Sequence, residues 1–217
     1  MRLSERKQWS SEIVRRLRKE YPGAKVALNY ADPLELLVAT ILSAQATDKT
    51  INTITPALFR KYRSAADYAR ADRTVFEREI RSSGFFRNKA KNIIAAARRI
   101  EEAYGGQVPE TMEDLLTLPG VARKTANIVL YNAFGVTAGI AVDTHVRRLS
   151  QRLGLSAQID PEKIERDLMG LLPREAWGPL NCLLIEHGRK ICQAKKPACP
   201  DCVLKDKCPT GREKPRI

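Results

Sequence analysis

The sequence contains no run of about 18 apolar residues, so no segment reads as a bilayer-spanning helix. It also lacks any convincing alternation of apolar and polar residues, which removes folds built on half-buried strands. Its opening, Met-Arg-Leu-Ser-Glu-Arg-Lys-Gln-Trp, has no apolar core of a secretory signal, so a reducing, cytoplasmic setting is expected. There is no internal repeat and no low-complexity tract. The two histidines, His145 and His187, read as ordinary helix residues rather than ligands or bases. Negative charge is the scarcer sign. Asp and Glu number 25 against 38 Lys and Arg, a formal net charge of +13. That excess points to a polyanionic partner, nucleic acid before a membrane surface. At 217 residues the chain can form one large domain or two small ones, each with its own core.

What remains is helical period almost throughout, so the expected class is all-α. Residues 4–20 form a basic amphipathic helix ended by Tyr21-Pro22-Gly23. Asp32-Pro33-Leu34-Glu35 is a helix start with Asp as N-cap and Pro at the first helical position. The helix behind it carries Leu34, Leu37, Val38, Ile41 and Leu42 on one stripe. Further helices are expected near 49–62, 64–69, 74–81 and 89–104, with a break over Gly84 to Asn88. Thr111 caps a short helix to Leu116. Asp143 and Asp160 open two more, and a last apolar helix, 177–189, leads into a cysteine-rich tail.

The stretch Leu118-Pro119-Gly120-Val121-Ala122-Arg123-Lys124-Thr125-Ala126 organises the chain. Pro119-Gly120 is a turn, and a helix begins directly after it. The unpaired N–H groups and positive dipole end of that helix suit a phosphate. Lys124 sits in the first helical turn, where a cation is disfavoured. It is either a phosphate ligand or an amine whose neutral, nucleophilic form is favoured. The helix carries the chain about 15 Å away, and residues 134–142 can span about 30 Å when extended. Asp143 is thereby able to return opposite Lys124, a carboxylate base beside a nucleophile. Taken alone, Asp143 reads as a helix cap and Lys124 as a phosphate contact or a solvated charge.

Four of the five cysteines, Cys192, Cys199, Cys202 and Cys208, fall within 17 residues, a metal-ligand pattern in a reducing compartment. One short Cys-x-x-Cys knuckle with two outlying ligands suits a cube-shaped iron–sulfur cluster better than two separated zinc knuckles. Zinc and free thiols remain the alternatives. Cys182 reads as a core residue. The loop also carries Lys195, Lys196, Lys205 and Lys207, positioned for a phosphate backbone. Gln45 and Phe85-Phe86-Arg87 lie at breaks between helices. An enzyme that extrudes a nucleotide must fill the hole with a wedge or a pairing amide. Against that, a phenylalanine there can be core and Gln45 a plain surface residue.

Leu118-Pro119-Gly120-Val121-x-Arg123-Lys124-Thr125-Ala126, Val142-Asp143-Thr144-His145 and the Cys-x6-Cys-x2-Cys-x5-Cys tail, in that order, resemble the endonuclease III family. These are bifunctional DNA glycosylases of the helix-hairpin-helix superfamily. The likeness covers nearly the whole chain, the Asp32 helix and Ser43-Ala44-Gln45-Ala46-Thr47-Asp48 included. It implies two lobes: a six-helix barrel over 28–137, with the helix-hairpin-helix at about 111–133, and a discontinuous lobe of 1–27 with 138–217. Double-stranded DNA would lie across the cleft between them. It implies Lys124 as nucleophile, Asp143 as catalytic aspartate, a [4Fe-4S] cluster on the four cysteines, and Gln45 and Phe85 as duplex-filling residues. Gly120, Ala122, Lys195 and Lys196 complete the expected DNA contacts, and the protein is expected to be a monomer, prokaryotic and associated with the nucleoid.

The implied reaction removes oxidised pyrimidines and nicks the strand 3′ to the abasic site by β-elimination. Two positions depart from the family. Ala122 stands where glycine is usual and is expected to weaken the hairpin's grip. Phe85 replaces an aliphatic residue and is expected to alter lesion or opposite-base preference. The nearest rival, the adenine-removing mismatch glycosylase, lacks a lysine at the position of Lys124 and carries a further C-terminal domain, whereas this chain stops soon after Cys208. A non-catalytic DNA-binding module with a structural metal is the rival from another class.

Overall fold

The structure is a computed structural model, and it describes residues 2–213. The end of the expected 138–217 segment lies outside the described residues. In chain order the helices are α1 (Leu3–Glu20), α2 (Pro33–Leu42), α3 (Asp48–Lys61), α4 (Ala65–Ala69), α5 (Arg73–Glu79) and α6 (Phe86–Tyr104). They continue as α7 (Met112–Leu116), α8 (Arg123–Phe134), α9 (Thr144–Arg152), α10 (Pro161–Leu171), α11 (Trp177–Lys190) and α12 (Pro209–Glu213). There is no strand among the described residues, and no described helix is long and apolar enough to cross a membrane. The chain forms two compact units, one from Met1–Val26 with Gly139–Ile217, the other from Ala27–Ala138.

Polar caps explain most of the helix starts. Asp32 accepts from the Glu35 N–H at 2.8 Å while Pro33 occupies the first helical position. Thr47, Ser64, Asp72, Thr111 and Asp160 cap α3, α4, α5, α7 and α10 in the same way. Each supplies an acceptor to a donor that the helix itself cannot satisfy. One expected boundary moves. The break over Gly84–Asn88 shrinks to Gly84 and Phe85, with φ of 68° and 49°, and α6 begins at Phe86. Glycine at 84 takes its positive φ without steric cost, and α6 starts directly after Phe85.

In the unit 27–138, α6 packs on α4, α5 and α2, while α2 also lies against α8 and α3. Its core includes Leu36, Leu42, Ile51, Phe76, Ile80, Ile93, Ile100, Leu115 and Leu130, all essentially inaccessible. Each such side chain contributes about 1.5–3 kcal/mol on burial. Tyr62, Tyr68 and Phe76 form an aromatic cluster with ring centroids 5.0–5.9 Å apart. In the other unit, Trp9, Ile13 and Leu17 of α1 share a core with Val146, Leu149, Ile164, Leu168, Leu180 and Leu184. Trp9 closes it by donating its indole N–H to the Leu153 carbonyl at 2.9 Å.

The Tyr68 side chain is buried and its hydroxyl has no hydrogen-bond partner. The ring, not the hydroxyl, therefore carries its contribution. In urea denaturation Tyr68→Phe should leave stability within about 1 kcal/mol of the parent or raise it. Tyr68→Ala should cost about 3–5 kcal/mol. A Phe variant as unstable as the Ala variant would assign the stabilisation to the hydroxyl.

Candidate active site

The turn before α8 is set by steric exclusion. Val121 N–H donates to the Leu118 carbonyl at 3.1 Å, and Gly120 has φ of 81°. A Cβ on Gly120 would fall 2.8 Å from the Asn92 Cβ of α6. Glycine is therefore required both for the backbone conformation and for the close approach. Ala122, by contrast, has φ −98° and ψ 169°, an extended conformation that any residue adopts. Alanine in place of the family's usual glycine strains nothing there. Ala122 supplies no side-chain cap, and the helical ladder opens only with Ala126 N–H to the Ala122 carbonyl. Lys124 stands exposed on this uncapped first turn.

Asp143 belongs to the other unit. It follows the buried run Ile140–Val142, which is held partly by Asn181 donating to the Ala141 carbonyl at 2.8 Å. Its Oδ1 accepts from the Val146 N–H at 2.8 Å, so it does cap α9, and the residue is half-buried. Capping uses one carboxylate oxygen, so the capping and catalytic readings are compatible. Behind it α9 is fixed to α11. Arg148 donates to the Gly188 and Cys192 carbonyls at 3.2 and 3.1 Å and contacts His145 Nδ1 at 3.2 Å. A Cβ on Gly188 would come within 2.6 Å of that same nitrogen.

All four tail cysteines line one cavity, together with Arg152, His187, Ile191 and Pro197. Among the described residues no group of three or more His, Cys, Asp and Glu could hold a metal ion. Arg152 Nη1 donates to Cys192 Sγ at 3.4 Å, and the Leu204 N–H donates to Cys202 Sγ at 3.4 Å. Burial pushes the Cys202 thiol up to about 11 and raises Cys208 as well. His187 is buried between Tyr21 Oη, 3.0 Å from Nδ1, and Cys202 Sγ, 3.3 Å from Nε2. Burial lowers it to about 4, so it is a neutral ring. Its setting is more particular than an ordinary helix histidine's. Lys195 and Lys196 are exposed on the same loop, and Cys182 is buried as expected.

Gln45 and Phe85 share a feature the sequence does not display. They are the non-glycine residues with positive φ among the described residues, at 55° and 49°. Both side chains are exposed, Phe85 by 68%, so Phe85 is not a core residue. Sequence reading missed Lys89, which is buried beneath these loops. Its signal was a lysine on the stripe Lys89, Ile93, Ala96, Ala97 and Ile100, the buried face of α6. It also missed Arg148 and Arg152, one turn apart on α9 and turned toward the cysteine loop.

Residues 38–174 match the family described as HhH-GPD superfamily base excision DNA repair protein. With that much of its length matched, the chain belongs to the HhH-GPD superfamily. Within it the likeness runs to endonuclease III. The chain is 54% identical over 211 residues to the endonuclease III of Synechocystis sp., covering 97% of this chain and 96% of that one. It is 44% identical over 195 residues to that of Bacillus subtilis, covering 89% of each. Its structure superposes with a TM-score of 0.90, at 42% identity, on a trapped endonuclease III–DNA covalent intermediate, covering 95% of this chain and 97% of that one. A thermostable thymine-DNA glycosylase at 22% identity and a TM-score of 0.86 shares the fold.

Since Asn caps as well as Asp, Asp143→Asn should leave unfolding stability within about 0.5 kcal/mol of the parent. Asp143→Ala should cost about 1 kcal/mol by removing the cap. Urea denaturation of the three proteins distinguishes these. An Asn variant as destabilised as Ala would make the charge, not the cap, the stabilising element.

Proposed function

We propose that this protein is a base-excision DNA glycosylase with AP lyase activity, acting in the cytoplasm on double-stranded DNA that carries oxidised pyrimidines. The single observation that supports it most is an exposed lysine on an uncapped helix start, in a chain matching endonuclease III over nearly its whole length. A lysine at this place argues against the adenine-specific reading. A half-buried carboxylate held by a helix cap argues against a module that only binds DNA.

Residues 28–137 serve as the barrel lobe that carries Lys124, and 1–27 with 138–217 as the lobe that carries Asp143 and the cysteines. Lys124 as free amine attacks C1′ of the extruded nucleotide while the C1′–N bond breaks and the base leaves with its electron pair and a proton. Asp143 stabilises the positive charge developing on the sugar and assists proton transfer. Opening of the ring gives a Schiff base between Lys124 and C1′. That iminium acidifies C2′–H. Loss of the proton expels the 3′ phosphate, and water releases the enzyme. Gln45 and Phe85 fill the space the nucleotide leaves, as exposed tips on reversed backbone. The uncapped N–H groups after Gly120 and Ala122, with Lys195 and Lys196, hold phosphates, and the +13 charge favours DNA binding.

Cys192, Cys199, Cys202 and Cys208 would hold a [4Fe-4S] cluster. The four cysteine residues border one cavity, and four thiolates are the ligand set that such a cluster takes. Bound there, the cluster would staple the loop and supply the positive charge that keeps buried thiols ionised.

Two measurements test this. Sodium borohydride should trap a covalent complex with a duplex bearing an abasic site or an oxidised pyrimidine. Lys124→Ala should lose the complex while still retarding duplex DNA in a gel, and trapping that survives the substitution would reassign the nucleophile. The purified protein should carry about four iron and four sulfide per chain. Cys202→Ala should lose them, whereas one zinc without sulfide would replace the cluster by a mononuclear site.

A further inference from the structure

Lys89 is a buried cation with an unusual assignment. It lies on the core-facing side of α6, with 5% of its surface accessible. Its ammonium donates to two carbonyls, Leu42 O at 2.7 Å and Ser83 O at 2.6 Å. Both belong to helix ends. Leu42 is the last residue of α2, and Ser83 closes the 3-10 turn Arg81–Ser83. Carbonyls there have no partner within their own helix, and a cation is the favoured complement to the negative end of the dipole. A Leu or Met at position 89 would fill the same space and leave both carbonyls unpaired. Core packing alone therefore does not account for lysine.

The two carbonyls are not random choices. Leu42 stands three residues before Gln45, and Ser83 two residues before Phe85. Gln45 and Phe85 are the two non-glycine residues with left-handed backbone among the described residues. Such conformations persist only where the surroundings over-determine them, and they gather at ligand clamps. One ammonium grips the chain just upstream of both. Helix α6 itself starts beside Phe85, with the Lys89 N–H bonded to the Phe85 carbonyl at 3.1 Å. The same residue thus holds the Phe85 loop twice, through its backbone and through its side chain.

We infer that Lys89 is a positioning residue: its ammonium ties the Leu42 and Ser83 carbonyls together and so fixes the spacing of Gln45 and Phe85 for entry into the duplex. It touches no DNA and takes no part in the chemistry. Its effect falls on extrusion of the damaged nucleotide, a step that requires both tips in register. The inference rests on the proposed role of Gln45 and Phe85.

The test compares two substrates with the full-length protein. One is a duplex with a single oxidised pyrimidine beside 2-aminopurine, whose fluorescence rises on unstacking. The other is a single-stranded oligonucleotide with an abasic site, where no partner strand has to be filled. Lys89→Met should slow single-turnover excision on the duplex about 10- to 100-fold, with the same delay in fluorescence, because sub-ångström misplacement is expensive in rate. Borohydride trapping on the single strand should stay within about twofold of the parent, since the nucleophile is untouched. Lys89→Arg, which keeps a cationic donor, should restore the duplex rate. In a Gln45→Ala/Phe85→Ala background, Lys89→Met should cause no further loss.

Equal loss on both substrates, or additive loss in the cycle, would make Lys89 a general stabilising residue and overturn the inference. Parent-like excision by Lys89→Met, with an impaired Gln45→Ala/Phe85→Ala protein, would overturn it alone. Parent-like excision by the Gln45→Ala/Phe85→Ala protein would overturn the role of the tips first and this inference with it. Should Lys89→Met not fold, as judged by circular dichroism, Lys89→Gln carries the same comparison.

Discussion

The missing Cβ of Gly120 is the constraint on which the proposed chemistry depends. With Asn92 so close, any side chain at 120 would push the turn away from α6. The turn would then deliver α8 in a different direction, and Lys124 with it. Pro119 narrows the choice from the other side by fixing its own φ. The placement of the proposed nucleophile is thus a packing result. It comes from how α6 and the hairpin approach each other, not from any bond that Lys124 itself makes. An exposed side chain on a rigidly packed helix start is free to react yet arrives at a defined place, which is what a reacting amine requires.

The pattern of caps carries the same logic further. Within the unit 27–138, α2, α3, α4, α5 and α7 begin with a side chain that accepts from their own first turn. Helices α6 and α8 do not. Their cap positions are Phe85 and Ala122, two of the residues assigned to the nucleic acid. Withholding a cap costs stability, about 1 kcal/mol at each site, and leaves the positive end of the helix for an external anion. The chain accepts that cost at the two helix starts where DNA is proposed to bind, not at the five where it is not.

Much of this was readable in the sequence, and the reasons are local. Caps, turns and amphipathic stripes are written in residues a few positions apart, so Asp32, Thr111, Pro119-Gly120 and Asp143 announce themselves. The cysteine spacing is equally short-range. What escaped is set by distant parts of the chain. The left-handed backbone of Gln45 and Phe85 is imposed by packing, since neither residue favours it. Lys89 looks like one more charge in a basic helix until its two carbonyl partners, 47 and 6 residues away, are known. The break before α6 is shorter than its composition suggests because Gly84 and Phe85 both take positive φ and the helix starts at the next residue. The four cysteines were legible as a set, whereas the cavity that they border together was not.

Three arginines of the unit that holds the cysteines turn inward to oxygen. Arg152 donates to the carbonyls of Gln193 and Ala194 at 2.8 Å each, and Arg148 to Gly188 and Cys192. Arg16 takes the Val203 carbonyl at 2.8 Å and pairs with Asp206. A planar fork with several fixed donors suits a cluster of loop carbonyls better than an ammonium does. Lysines of the same loop, Lys195 and Lys196, are exposed. Side chains already committed to carbonyls order the loop before any ligand arrives, so less freedom is lost on binding. In the proposed function Lys195 and Lys196 meet the phosphate backbone as point charges on a prearranged support.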